Sequence, residues 1–205
     1  MNIALFSTAY FPPVAYMAAL NSQTEALIEV RETFPKQTYR NRMVIMTAGG
    51  VRALTVPVVR RNHSRTDEVT IDYKERWNTV HFRTLSAAYG ASPYWAYYQD
   101  DIEQLLCQRY DRLVDLNLAV TNWLAHRLKL RCHLEFTTDY MFVCNDADDY
   151  RSVFSPKIPY ATEGFPPYCQ VFSDRYPFAP NLSVLDLLLN MGPEAGDYLK
   201  TIKHG

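Results

Sequence analysis

Glycine is scarce in this chain of 205 residues, with seven in all, and none of them is arranged to cradle a phosphate. No G-x-x-x-x-G-K-[ST], G-x-G-x-x-G or G-x-S-x-G occurs, which argues against a P-loop nucleotidase, a Rossmann dinucleotide site and a hydrolase nucleophile elbow. Cysteine is equally thin. Cys107, Cys132, Cys144 and Cys169 are widely spaced and form no C-x-x-C pair, so reduced thiols are expected. Cys132 and His133 are adjacent, but neighbours in a strand point to opposite faces, so a structural metal site is not expected. Long apolar runs are also missing. No segment approaches the roughly 20 apolar residues of a membrane-spanning helix. Residues 1–6 lack a basic flank and reach Pro12-Pro13 too soon for a signal peptide, so they read as a buried first strand and a cytoplasmic protein is expected. Neither charge sign is in excess: the net charge is -1 and the pI about 6.5. Nucleic acid and anionic membranes are therefore not expected as partners, and any cationic site must be local.

What the chain does have is 48% hydrophobic and 14% aromatic residues, enough for a sizeable core in a single domain spanning 1–205. Tyr10-Phe11-Pro12-Pro13 breaks the first strand, because proline donates nothing to a ladder. A short helix over 14–24 and a strand over 26–32 follow. Residues 38–58 read as an antiparallel hairpin turning at Gly49-Gly50. Helical stripes are expected at about 93–107, after a Ser92-Pro93 cap, and at 116–128. Short strands are expected at 134–136 and 140–143, and residues 150–180 should be largely irregular. A last helix, 183–191, is bracketed by a Ser183/Asp186 capping pattern and a Gly192-Pro193 stop. The class is α+β or mixed α/β, with the hairpin in its sheet. A doubly wound parallel sheet is the alternative, and the hairpin argues against it.

The densest chemistry lies in Lys36-Gln37-Thr38-Tyr39-Arg40-Asn41-Arg42, with three cations and two amides in seven residues. Read as a strand, the period of two sends Lys36, Thr38, Arg40 and Arg42 to one face and Tyr39, Asn41, Met43 and Ile45 to the other. The cationic face suits a phosphate or carboxylate, since guanidinium groups grip those anions two bonds at a time. A solvated strand face whose charge blocks aggregation is the plainer reading. Asn41 on the apolar face needs a partner, such as a backbone group. His81, four residues after Trp77, is the candidate general base, against the plainer reading of a histidine pinned in the core. Tyr10 and Tyr89 belong to a set of 15 tyrosines that offer stacking faces and hydroxyls, although most are expected in the core.

These residues resemble the WbqC-like family of bacterial proteins over nearly the whole chain. Tyr10-Phe11-Pro12-Pro13 is similar to its proline-aromatic loop, and residues 36–42 to its K-x-S/T-aromatic-x-N-R motif. Leu54-Thr55-Val56-Pro57-Val58 is similar to its L-x-V-P-V strand, and Trp77 with His81 to its W-x-x-x-H element. Tyr89 with Ser92-Pro93-Tyr94 and the closing Asn181-Leu182-Ser183-Val184-Leu185-Asp186-Leu187 complete the series. Many members begin the first loop with His-Gln-Pro-Asn where this chain has Ser7-Thr8-Ala9-Tyr10, so no role for that histidine carries over. The resemblance implies a link to surface polysaccharide gene clusters and an acyl- or aminoacyl-transferase acting on an amino sugar. Lys36, Arg40 and Arg42 would then hold the phosphates of a nucleotide sugar or an acyl donor, Asn41 would orient the site, His81 would take the amine proton, and Tyr10, Tyr39 and Tyr89 would line the pocket. A non-catalytic anion- or partner-binding accessory protein is the competing class. Nothing in the sequence names a cofactor or fixes the oligomeric state.

Overall fold

Strand β1 (Ala4–Ser7) is buried along its whole length, the pattern of a strand covered on both faces in a parallel sheet. The computed structural model describes residues 4–141 and 148–202. From β1 the chain turns through Pro12-Pro13 into α1 (Val14–Asn21), an apolar helix buried from Val14 to Leu20. A helix apolar all round has to sit inside the molecule. The chain then returns as β2 (Glu25–Glu29), parallel to β1 with Ala4 opposite Ala26.

β3 (Arg42–Thr47) and β4 (Gly50–Thr55) form the hairpin, and β5 (Val58–Val59) pairs with β6 (Thr70–Ile71). Three helices follow: α2 (Trp77–Tyr89), α3 (Trp95–Cys107) and α4 (Leu113–Arg127). β7 (His133–Phe136) joins the outer side of β2, and β8 (Asp148–Asp149) joins the far side of β1. The parallel sheet therefore runs β7-β2-β1-β8. α5 (Val184–Met191) and α6 (Ala195–Thr201) close the described chain.

The class is mixed α/β. The hairpin and the parallel sheet coexist because the hairpin forms a separate two-stranded sheet and does not extend the parallel one. Its turn is Ala48-Gly49, one residue earlier than the glycine pair suggests, since Thr47 pairs with Gly50. The Thr47 hydroxyl closes the turn by donating to the Gly50 carbonyl and accepting from the Gly49 N–H, and Gly50 takes a φ of +97°. The earlier turn moves every strand pairing by two residues, so each side chain keeps its expected face.

Elsewhere the expected elements need adjustment. α3 begins at Trp95, and the Ser92 hydroxyl donates to the Tyr89 carbonyl behind it without capping the helix. Tyr140 and Met141 are not in a strand, and positions 142–143 lie outside the described residues. α5 starts at the expected Ser183 cap, its Leu185 N–H donating to the Ser183 hydroxyl, but Asp186 does not complete the capping pattern, its carboxylate accepting from Tyr168 and Gln170 instead. Gly192 ends it at a φ of +56°, where a side chain would run into the Tyr94 ring. No helix among the described residues is long and apolar enough to cross a membrane.

Candidate binding cleft

Residues 36–41 are not a strand. Gln37 adopts a φ of +57°, which breaks the alternation of faces, and the ladder begins only at Arg42. The expected row of cations is dispersed as a result. Lys36 is exposed, and Arg42 is half-buried with its Nε donating to the Thr55 hydroxyl at 3.3 Å. Arg40 is buried at 4% exposure. Its Nε donates to Glu32 Oε1 at 2.8 Å, its second nitrogen makes an ion pair at 2.6 Å, and it also reaches the Arg151 carbonyl. Burial raises the Glu32 pKa, and the Arg40 charge and hydrogen bond pull it back. Behind this pair, the buried Glu29 carboxylate accepts from the Arg31 and Met141 N–H groups and the Thr137 hydroxyl. Arg40 is therefore a structural cation at the carboxyl ends of the parallel strands.

Asn41 has its expected backbone partner: its amide nitrogen donates to the Val56 carbonyl at 2.9 Å. The neighbouring carbonyls are also used. Tyr39 O accepts from the Tyr10 N–H, and Arg40 O accepts from the Asn117 amide. The motif is thereby fastened to the 10–13 loop, to β4 and to α4.

His81 is not a solvent-facing base. It lies at 4% exposure against Trp77 and Tyr10, with its Nδ1 2.9 Å from the Tyr10 hydroxyl. Its other ring nitrogen faces the Thr55 carbonyl, which only accepts, so that nitrogen carries the proton and Nδ1 accepts from Tyr10. Burial lowers the His81 pKa to about 4; the Thr55 carbonyl works against this and the Arg52 charge adds to it. The ring is neutral and pinned on both sides. Tyr10 and Tyr89 are fully buried as well. Tyr89 belongs to a second polar cluster, around Asp186, whose Oδ2 accepts from the Tyr168 hydroxyl and the Gln170 amide. Asp186 thus ties α5 to the 168–170 segment, and burial raises its pKa.

Three pieces of the sequence motifs do converge. Pro13 from the first loop, Tyr39 from the heptad and Asn181 from the closing segment line one cleft of about 290 Å³. The opposite wall is residues 154–160, including Phe154, Ser155, Lys157 and Tyr160. Phe154 is anchored by ring contacts to Phe6, Tyr16 and Tyr150. The Asn181 side-chain oxygen accepts from the Ala15 N–H at 2.9 Å, which leaves its amide nitrogen to donate. Burial raises the Tyr39 pKa, and the Arg42 charge partly offsets this, so the phenol stays protonated as a donor at neutral pH. Lys36, Arg40, Arg42 and His81 do not line this cleft, and the 154–160 wall was not read from the sequence. Its one visible signal was the proline-aromatic composition of a stretch without periodicity.

The chain belongs to the WbqC-like protein family, which matches residues 8–155. That match takes in Pro13, Tyr39, Phe154 and Ser155 and stops at the second residue of the 154–160 wall. The chain is also similar to the uncharacterized protein Rv1507c of Mycobacterium tuberculosis, at 27% identity over 229 residues, covering 97% of each chain. No solved structure matches.

Proposed function

We propose that this protein binds a sugar in the cleft between Tyr39 and the 154–160 wall, as an acyl- or aminoacyl-transferase acting on an amino sugar in bacterial surface polysaccharide biosynthesis. The observation that carries the reading is the meeting of Pro13, Tyr39 and Asn181, from three distant motifs, on one cleft. A volume of about 290 Å³ suits a single sugar ring with a small appended group. Tyr39, Phe154 and Tyr160 offer apolar ring faces, while Asn181 and Lys157 offer donors for hydroxyls and for an anionic end such as a nucleotide phosphate or acyl donor. The polysaccharide setting and the cytoplasmic location come from the family resemblance and the sequence. In this reading Arg40, Asn41, His81, Tyr10 and Tyr89 hold the cleft in shape and do not touch the ligand.

A second reading has its own support. Among the described residues the cleft lining holds no histidine or carboxylate, which favours a non-catalytic accessory protein that holds the same ligand. One experiment separates the two. Thermal shift with amino sugars, nucleotide sugars and acyl-coenzyme A is run on the wild type, Tyr39→Ala and Lys157→Ala, and any binding pair is then incubated and analysed by mass spectrometry. A ligand at a hundredfold its dissociation constant adds about 2.7 kcal/mol. Binding that is lost in Tyr39→Ala, together with an acylated product, supports the transferase. Binding without product supports the accessory protein. If no ligand stabilises the wild type, or if Tyr39→Ala responds equally, the cleft is not the site.

A further inference from the structure

We infer that a second cleft, between the tip of the β3–β4 hairpin and α2, binds a phosphate or diphosphate group through Arg52 and Arg83. The cleft holds about 390 Å³ and shares no lining residue with the Tyr39 cleft. The inference does not depend on the transferase reading.

Both guanidiniums are exposed, and neither enters an ion pair or hydrogen bond among the described residues. This sets them apart from Arg40, Arg112, Arg127 and Arg151, each of which is held by a carboxylate. The cause can be read in the sequence. From residue 33 to residue 66 there are seven lysines and arginines and no acid, and from residue 76 to residue 99 there are Arg76 and Arg83 and again no acid. These two stretches supply the hairpin and α2, so neither wall brings a carboxylate to the cleft. The segment touching the hairpin tip through the Tyr176 hydroxyl contains Asp174, which pairs with Arg175.

The local geometry favours an anion. Arg52 is opposite Ile45 and shares its face of β4 with the buried Leu54, the face turned toward α2. Unlike Leu54 it is exposed, and it lines the cleft together with Arg83. On α2, Ala87 and Ala88 follow Arg83 and Thr84 by one turn, so this end of the helix stays low and leaves space in front of the guanidiniums. Two uncommitted planar forks at one cleft match the oxygens of a phosphate. The charge of Arg52 reaches inward as far as His81, whose protonation it opposes.

The test is isothermal titration with inorganic pyrophosphate and with uridine diphosphate, at low and at high salt. Binding that weakens with salt is expected. Arg52→Ala and Arg83→Ala should each weaken it by about tenfold or more, Arg52→Lys by less, and Arg112→Ala, which removes a cation lining neither cleft, should leave it unchanged. Should either alanine variant lose its folded thermal transition, the glutamine variant at that position replaces it. A parallel arm uses vesicles of phosphatidylcholine with and without phosphatidylglycerol. Capture by the anionic vesicles alone, lost in the same two variants, would place the phosphate on a lipid headgroup and also support the site. Absence of binding to every probe, or binding as tight in both arginine variants as in the wild type, overturns it.

Discussion

Arg40 and Arg52 come from the same acid-free stretch, twelve residues apart, and meet opposite ends. Arg40 is buried against Glu32, whereas Arg52 stands exposed with no carboxylate on either wall of its cleft. The difference does not lie in the arginines or in their immediate neighbours. It lies in what folds against them: the segment leaving β2 brings Glu32 to Arg40, while α2 brings Arg83, a second cation, to Arg52. A crowded run of positive charge therefore marks where carboxylates must come from elsewhere, and the free cations are those for which none arrives.

That contrast can be broken, most severely from the Glu32 side. Glu32→Ala leaves a buried guanidinium without its counter-charge and should cost about 3 to 5 kcal/mol in denaturant unfolding. The double change Glu32→Leu with Arg40→Met should restore most of this, because the pair repays little beyond its own desolvation.

Next in size is a pH effect. His81 is held neutral in the fold with a pKa of about 4, against 6.5 for a free histidine. The unfolded chain therefore binds more protons between these values, and stability should fall as pH drops from 6.5 to 4, by about 3 kcal/mol from this residue. In His81→Asn, which keeps an acceptor for Tyr10, that part of the pH dependence should vanish from unfolding curves. A smaller loss is expected from Asn41→Ala, which deprives the Val56 carbonyl of its buried donor and should cost about 1 to 3 kcal/mol. The smallest effect returns to the comparison. Arg52→Ala should let the His81 pKa rise, as read by NMR titration, whereas Arg83→Ala should leave it in place.

How legible this was in advance depended on the range of the deciding interaction. The hairpin, α5 and the irregular 150–180 region rest on alternation, capping residues and prolines, all local in sequence, and they formed close to where those signals lay. The faces of the hairpin survived a misplaced turn because the shift was even. The parallel sheet was less visible. β1, β2 and β7 lie near the strands expected at 1–6, 26–32 and 134–136, but all are short, their parallel order rests on pairing between distant segments, and the two-residue β8 carries no signal of its own. At the candidate site the period-of-two argument failed at Gln37, whose positive φ no propensity rule would assign. The ion pair of Arg40, the core seat of His81 and the wall facing Tyr39 all depend on contacts between distant segments. Asn41 was legible because a buried amide must find a partner wherever it lies.

The closing segment has one more consequence. The Val14 N–H donates to the Leu182 carbonyl and the Val184 N–H to the Pro12 carbonyl, while the Ser183 hydroxyl donates to the Phe11 carbonyl and its N–H to Val44 O. A bridge between positions about 170 residues apart closes a very large loop late, since its entropy must be spent before the contact returns anything. During synthesis the 10–13 loop and the hairpin must therefore wait, unlatched, until residues 182–184 emerge. The cleft that Tyr39 lines is among the last features of the molecule to exist.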